Sequence, residues 1–125
     1  MKILIDTHIF IWGLAGSERL TKNILDKLSS ADSVYLSSIS ITEMIIKIQI
    51  GKLKIDMNKA ILSMPEMGLK ELPYTTNHAA ALMKLPNIHK DPFDRMLIAQ
   101  AISEPLRLLT ADSILKEYSE LIDVV

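Results

Sequence analysis

A chain of 125 residues, 49% of them hydrophobic, fits a single domain spanning residues 1–125 and carries enough apolar mass to form a core unaided. The absence of cysteine excludes disulfides and thiolate metal sites, so any metal must be held by oxygen or imidazole, and it fits a reducing cytoplasm. With 14 Lys and Arg against 15 Asp and Glu, the net charge of −1 lacks the bulk basic signature of many nucleic-acid binders.

The chain opens on MKILIDTHIFIWGLAG, where Asp6 and His8 interrupt the only stretch that could imitate a signal peptide. Ile3-Leu4-Ile5 reads as a short buried strand running into a helix from Thr7 to about Leu14, closed by Gly16. Leu20, Ile24, Leu25 and Leu28 share one helical face, and Val34-Tyr35-Leu36 reads as a second strand. Ser40-Ile41-Thr42-Glu43 has the S-x-x-E form of a capping box, opening a helix that Gly51 ends. Met57 to Met67 is expected to be helical, Leu69 to Leu72 a short strand, and Thr76 to Leu85 a helix stopped by Pro86. Asp91-Pro92 supplies a cap and a first-turn proline for a helix over Phe93 to Ser103. Leu106 to Leu109 is a buried strand, Asp112 caps a short helix, and Leu121 to Val125 closes the chain as a strand. This alternation predicts a three-layer α/β/α domain around a mainly parallel sheet. No apolar run approaches the ~20 residues needed to cross a bilayer, so a soluble, cytoplasmic protein is expected.

In an open parallel sheet, ligands bind beyond the carboxyl ends of the strands. That rule selects Asp6 after the first strand, Glu43 in the first turn after the second, Asp94 in the first turn of the Phe93 helix, and Asp112 after the Leu106 strand. Each acid taken singly has a structural explanation, because orphan amides and the macrodipole favour carboxylates at helix N-termini. Four taken together are costly without a cation. Carboxylate-only ligation suits Mg2+ or Mn2+, and phosphodiester hydrolysis is the chemistry such a centre serves. His8, His78 and His89 share no metal-ligand spacing, the methionines read as core filler, and Trp12 is expected in the core. Lys47, Lys52, Lys54, Lys90 and Arg95 are candidates for a substrate-facing basic surface, with a solvated helix face the alternative for Lys47 and Lys52.

Four segments in order, LIDTHIFIW, SSISITEMIIKIQIGKL, LPNIHKDPFDRMLIAQA and LLTADSIL, resemble VapC-like toxins of the PIN-domain ribonuclease family and cover most of the chain. The resemblance implies a Mg2+- or Mn2+-dependent endoribonuclease of a type II toxin–antitoxin system, homodimeric and silenced by a cognate VapB-type antitoxin. By position, the family's acids match Asp6, Glu43, Asp94 in FDRMLIAQA and Asp112 in TAD. Thr7, Ser40 and Thr110 match small hydroxyl positions that could support the ligands, and Asp91 and Arg95 belong to a DPFDR signature expected at the rim. Thr42 departs from a frequent tryptophan, and Pro105 from a helix-ending glycine, so that turn must differ. The alternative from another class is a receiver-type phosphoacceptor domain with an acidic Mg2+ pocket. Such a domain wants paired acids after its first strand and a lysine closing a late strand, where this chain has the single Asp6 and ends LLTAD.

Overall fold

The computed structural model describes residues 1–125 and places β1 (Lys2–Ile5) at the centre of a five-stranded sheet. A central strand is covered on both faces, which is why three apolar residues run without alternation. Ile3 and Ile5 enter one core cluster and Leu4 enters the other, all three nearly inaccessible. Each such burial contributes roughly 1.5–3 kcal/mol. β2 (Ser33–Ser37), β3 (Leu69–Leu72), β4 (Arg107–Thr110) and β5 (Ile122–Val124) complete the order β3-β2-β1-β4-β5, and every pairing is parallel rather than mainly so.

Helices cover both faces. α1 (Thr7–Ala15), α2 (Lys22–Ser30) and α4 (Met57–Ser63) contribute Phe10, Ile24 and Ala60 to the cluster around Ile5. α6 (Pro92–Ser103) contributes Leu97, Ile98 and Ala101 to the cluster around Leu4. α3 (Ser38–Gln49) spans the two, with Ile39 in the second cluster and Met44 in the first. α5 (Thr76–Ala81), extended by a 3-10 turn over Leu82–Lys84, packs along α6. No helix is long and apolar enough to cross a membrane.

Most expected boundaries fall within two residues, and the exceptions have local causes. The helix expected over Met57 to Met67 ends at Ser63 because Pro65 cannot continue it. The capping box expected at Ser40 and Glu43 does not form. Ser37, still extended at φ −72° and ψ 144°, caps α3 by accepting from the Ile39 amide at 3.0 Å, so the helix starts earlier and both residues lie in its body. A reciprocal box occurs instead at Thr75 and His78, with imidazole in the role usually taken by Glu or Gln. Gly51 takes φ +77° just beyond α3, as expected of a terminating glycine, and the turn at Pro105 is distinguished by a cis peptide bond after Glu104.

Candidate active site

The strand order reverses about β1, whose neighbours β2 and β4 lead to opposite halves of the sheet. At such a switch point the carboxyl ends of adjacent strands open a crevice. Asp6 stands at its floor, directly after β1, with its amide donating to Leu109 O at 3.0 Å. One carboxylate oxygen caps α1 by accepting from the Ile9 amide (3.0 Å), and the other accepts from Thr110 Oγ1 (2.6 Å) at the end of β4. Thr110 Oγ1 also accepts from the Asp112 amide (3.1 Å), so one hydroxyl ties the acids following β1 and β4 together. Asp112 caps the 3-10 turn Ser113–Tyr118.

Asp94 approaches from the opposite element. Pro92 and the cap Asp91, whose Oδ1 accepts from the Phe93 and Asp94 amides at 2.9 and 3.1 Å, set the first turn of α6 so that Asp94 joins Asp6 and Asp112 in lining one cavity of about 270 Å3. Asp91 is thus a cap beside the site. Glu43 lies deeper, 3% exposed, in the second turn of α3 rather than the expected first. Thr7 Oγ1 donates to Glu43 Oε1 at 2.8 Å and lies 2.8 Å from Ser40 Oγ. Having one proton, Thr7 gives it to the carboxylate and receives from Ser40. Lys47, one turn further, donates to Glu43 Oε2 at 2.7 Å, so its charge is turned inward to the acids rather than offered to solvent.

The electrostatics bear the mark of crowding. Asp94 is pushed up to about 6, first by burial and then by the like charges of Asp91 and Glu43, against the opposing pull of His89. Burial also raises Asp6, despite the hydrogen bond from Thr110. Hydrogen bonding to Glu43 raises Lys47. The only lysine paired with these acids is thus committed to one of them.

His89 is the residue that sequence patterns did not single out. Its Nε2 lies 2.9 Å from Asp94 Oδ2 and 4.0 Å from Asp112 Oδ2, which makes His89, Asp94 and Asp112 a group able to hold a metal ion. The Tyr118 hydroxyl accepts from the His89 amide at 2.6 Å, and Arg95 donates to Pro86 O at 2.8 Å, fixing the loop before α6. No spacing rule predicts this, because the contact depends on a loop folding back five residues before Asp94. Arg95 and Lys90 line an adjoining hollow with His89 and Asn87, where the expected rim should be. Trp12, expected in the core, is only partly buried and lines the acidic cavity with His8 and Arg19.

The donor chemistry fits a hard divalent cation. Asp94 Oδ1 receives no hydrogen bond within the chain, Asp94 stays raised despite its contact with His89, and carboxylate oxygens beside one imidazole suit Mg2+ or Mn2+.

Solved structures share this architecture. The chain is similar to a protein in the VapBC2 complex of Rickettsia felis bound to a promoter DNA fragment, with 17% identity, a TM-score of 0.75, and coverage of 100% of this chain and 98% of that one. It is also similar to a chain of DNA-bound VapBC from Salmonella typhimurium, at 18% identity, TM-score 0.70, and coverage of 100% and 97%. A chain in a toxin–antitoxin complex from Klebsiella pneumoniae gives 18%, 0.69, 98% and 96% in the same terms. Among curated proteins no sequence match is found. The PIN domain family model matches residues 3–121, taking in all but the first residue of β1, all six helices and Asp6, Glu43, Asp94 and Asp112, and the chain belongs to that family.

Proposed function

We propose that this protein is a Mg2+- or Mn2+-dependent endoribonuclease acting as the toxin of a toxin–antitoxin pair, with Asp6, Glu43, Asp94 and Asp112 as its acidic centre. The observation that carries this reading is Asp94, an acid raised to about 6 by burial and like charges at the mouth of a cavity shared with Asp6 and Asp112. A scaffold gains nothing from that arrangement, whereas a cation site requires it. Asp6, Asp94 and Asp112 would hold the ion, with Glu43 reinforcing the negative field from below. When bound, such an ion supplies an activated water and stabilises charge on the phosphate.

The chain's own residues orient this centre. Thr110 fixes Asp6 Oδ2, Thr7 fixes Glu43 Oε1, and Ser40 fixes Thr7, so three small hydroxyls act as positioning residues. His89 Nε2 holds Asp94 Oδ2 and leaves Oδ1 available. Lys47 holds Glu43 Oε2 inside the fold, and Lys90 and Arg95 offer basic groups to a phosphate backbone on the same side.

A VapB-type antitoxin partner and a homodimer are part of the same reading. They are supported by the nature of the similar structures, which include a toxin–antitoxin complex, and by large apolar side chains left in solvent on α3 and α4. Ile45, Ile46, Ile61 and Leu62 are such residues, with Leu62 75% exposed. A receiver-type phosphoacceptor has no support, since a single acid follows β1 and Glu43 is engaged by Thr7 and Lys47.

The test is cleavage of unstructured RNA by the antitoxin-free protein in Mg2+, in Mn2+ and in EDTA. Cleavage is expected with either ion and none with chelator. Undiminished cutting in EDTA, or no cutting under any condition, overturns the reading. Co-expression with the product of the adjacent open reading frame should yield a complex that does not cut.

A further inference from the structure

The acidic cavity has a second wall that the chemistry described so far does not use. His8 and Trp12, four residues apart on α1, face it with ring centroids 6.3 Å apart and planes tilted by 47°. α1 then ends at Gly16, whose φ of +61° turns the chain. The Ser17 amide donates to Trp12 O at 3.0 Å, the Arg19 amide to Ser17 Oγ at 3.2 Å, and the Leu20 amide to Ser17 O at 3.1 Å. These bonds fold the turn back over the helix and bring Arg19 Cζ to 5.9 Å from the centre of the Trp12 ring.

The guanidinium is unusual in what it does not touch. Arg19 is exposed, makes no ion pair, and donates no side-chain hydrogen bond, although Asp6, Asp94 and Asp112 line the same cavity. A flexible surface arginine beside three acids ordinarily pairs with one. Here it rests on an indole, and the result is a planar, cationic, solvent-facing platform held by a hydrogen-bonded turn.

Resting on the ribonuclease reading above, we propose that Arg19 and Trp12 form a shelf on which an unpaired base of the RNA stacks, next to the phosphate presented to Asp6, Asp94 and Asp112. Aromatic rings and guanidinium planes both stack on bases, and every base offers the same π-face. The shelf therefore selects for single-stranded substrate rather than for a particular sequence, because a base inside a duplex is already stacked on its neighbours. Its positive charge also offsets the repulsion that the acids exert on an approaching backbone.

Trp12 is the only tryptophan in the chain, so its emission reports the shelf directly. The experiment titrates antitoxin-free protein in EDTA with an unstructured decaribonucleotide, with the same strand in a duplex, and with an abasic analogue of it. Quenching is expected with the single strand and little change with the other two. In cleavage assays Arg19→Ala and Trp12→Ala should each raise KM about tenfold, from the loss of one stacking contact, with kcat moved far less. Arg19→Lys should resemble Arg19→Ala, since it restores charge without a plane, whereas Trp12→Phe should recover most of the affinity. Trp12 packs partly against the core, so if Trp12→Ala fails to fold, the exposed Arg19 decides the matter. Active enzyme whose emission ignores RNA, or in which Arg19→Lys behaves as wild type, overturns the shelf alone. A wild-type protein that cuts no RNA in Mg2+ or Mn2+ overturns the ribonuclease reading and the shelf with it.

Discussion

Two histidine–carboxylate pairs lie on opposite ends of α6, and their surroundings assign them different work. His78 Nε2 meets Glu104 Oε2 beyond the C-terminal end, while His89 Nε2 meets Asp94 Oδ2 at the N-terminal end. The His78 ring is 3% exposed, and its Nδ1 accepts the Thr75 amide at 3.0 Å in the capping box that starts α5. With Nδ1 occupied as acceptor, Nε2 carries the proton and donates to Glu104, so both nitrogens are committed to holding α5 on α6. Gln100 Nε2 adds contacts to Leu72 O and Pro73 O, anchoring the end of β3 to the same network. His89, by contrast, is 23% exposed and faces two carboxylates beside a cavity. The same chemical pair is a joint where both imidazole nitrogens are engaged by one helix cap and one helix end, and a site where one imidazole faces two carboxylates beside a cavity.

The largest expected effect breaks that comparison at the acids. Asp94→Asn removes one charge from the crowded centre, and under the proposed function the loss of a cation ligand worth several kcal/mol to the transition state corresponds to at least a hundredfold fall in kcat, by order of magnitude. Glu104→Gln keeps the shape of its partner and should leave kcat within about twofold, as expected of a group outside the reacting centre. The measurement is single-turnover RNA cleavage by both variants. A comparable loss in both would remove the distinction between joint and site.

Exchanging the histidines sharpens it. His78→Ala deletes half of a capping box and leaves a void beside the buried Gln100, at a cost of roughly 1–3 kcal/mol of folding stability. Cleavage per folded molecule should be unchanged. His89→Ala should instead leave the urea midpoint nearly unaltered, because its loop is partly exposed, and weaken Mn2+ binding measured by calorimetry. His89→Ala with wild-type Mn2+ affinity would exclude a role for the imidazole in positioning Asp94 for the ion.

The sequence made the sheet and three of the four acids easy to locate. Ile3-Leu4-Ile5 and Leu106 to Leu109 could only be buried strands, and Asp6, Asp94 and Asp112 follow from the rule that strand ends and the helix starts facing them carry ligands. Glu43 was selected beside a capping box that does not form. Ser37, Ser38 and Ser40 all offer a capping hydroxyl, and only the extended backbone at Ser37 decides between them, which frees Ser40 and Glu43 to face Thr7. His89 and Arg19 were not legible at all, because each reaches the cavity through a loop whose path depends on tertiary contacts, Tyr118 for one and Ser17 for the other. Trp12 misled by chemistry, since an indole at helical spacing on an apolar helix reads as core until the turn after Gly16 lays Arg19 across it.

The smallest expected effect concerns pH. Asp94 is raised from 3.8 to about 6 in the folded chain, chiefly by burial, so the native state binds a proton there more tightly than the unfolded state does. Its contribution to stability is fully present below about pH 4 and is lost as pH rises through about 6. Two units would amount to about 3 kcal/mol, but the side chain is 26% exposed and solvent screening reduces the contribution to about 1–2 kcal/mol, or a few degrees in Tm. Other groups titrate over the same range, so the informative quantity is the difference between wild type and Asp94→Asn, melted in EDTA from pH 4 to 8. Wild type should lose ground to the variant as pH rises, with the change centred near 6. Mg2+ should reverse the trend, because a cation competes with the proton for the same oxygens and binds the native cluster better than the unfolded chain. Its stabilisation of wild type should therefore grow with pH over the interval in which the EDTA curve falls, and Asp94→Asn should gain little at any pH. Parallel EDTA curves for the two proteins would mean that folding does not raise Asp94, and the contrast between the two ends of α6 would lose its electrostatic basis.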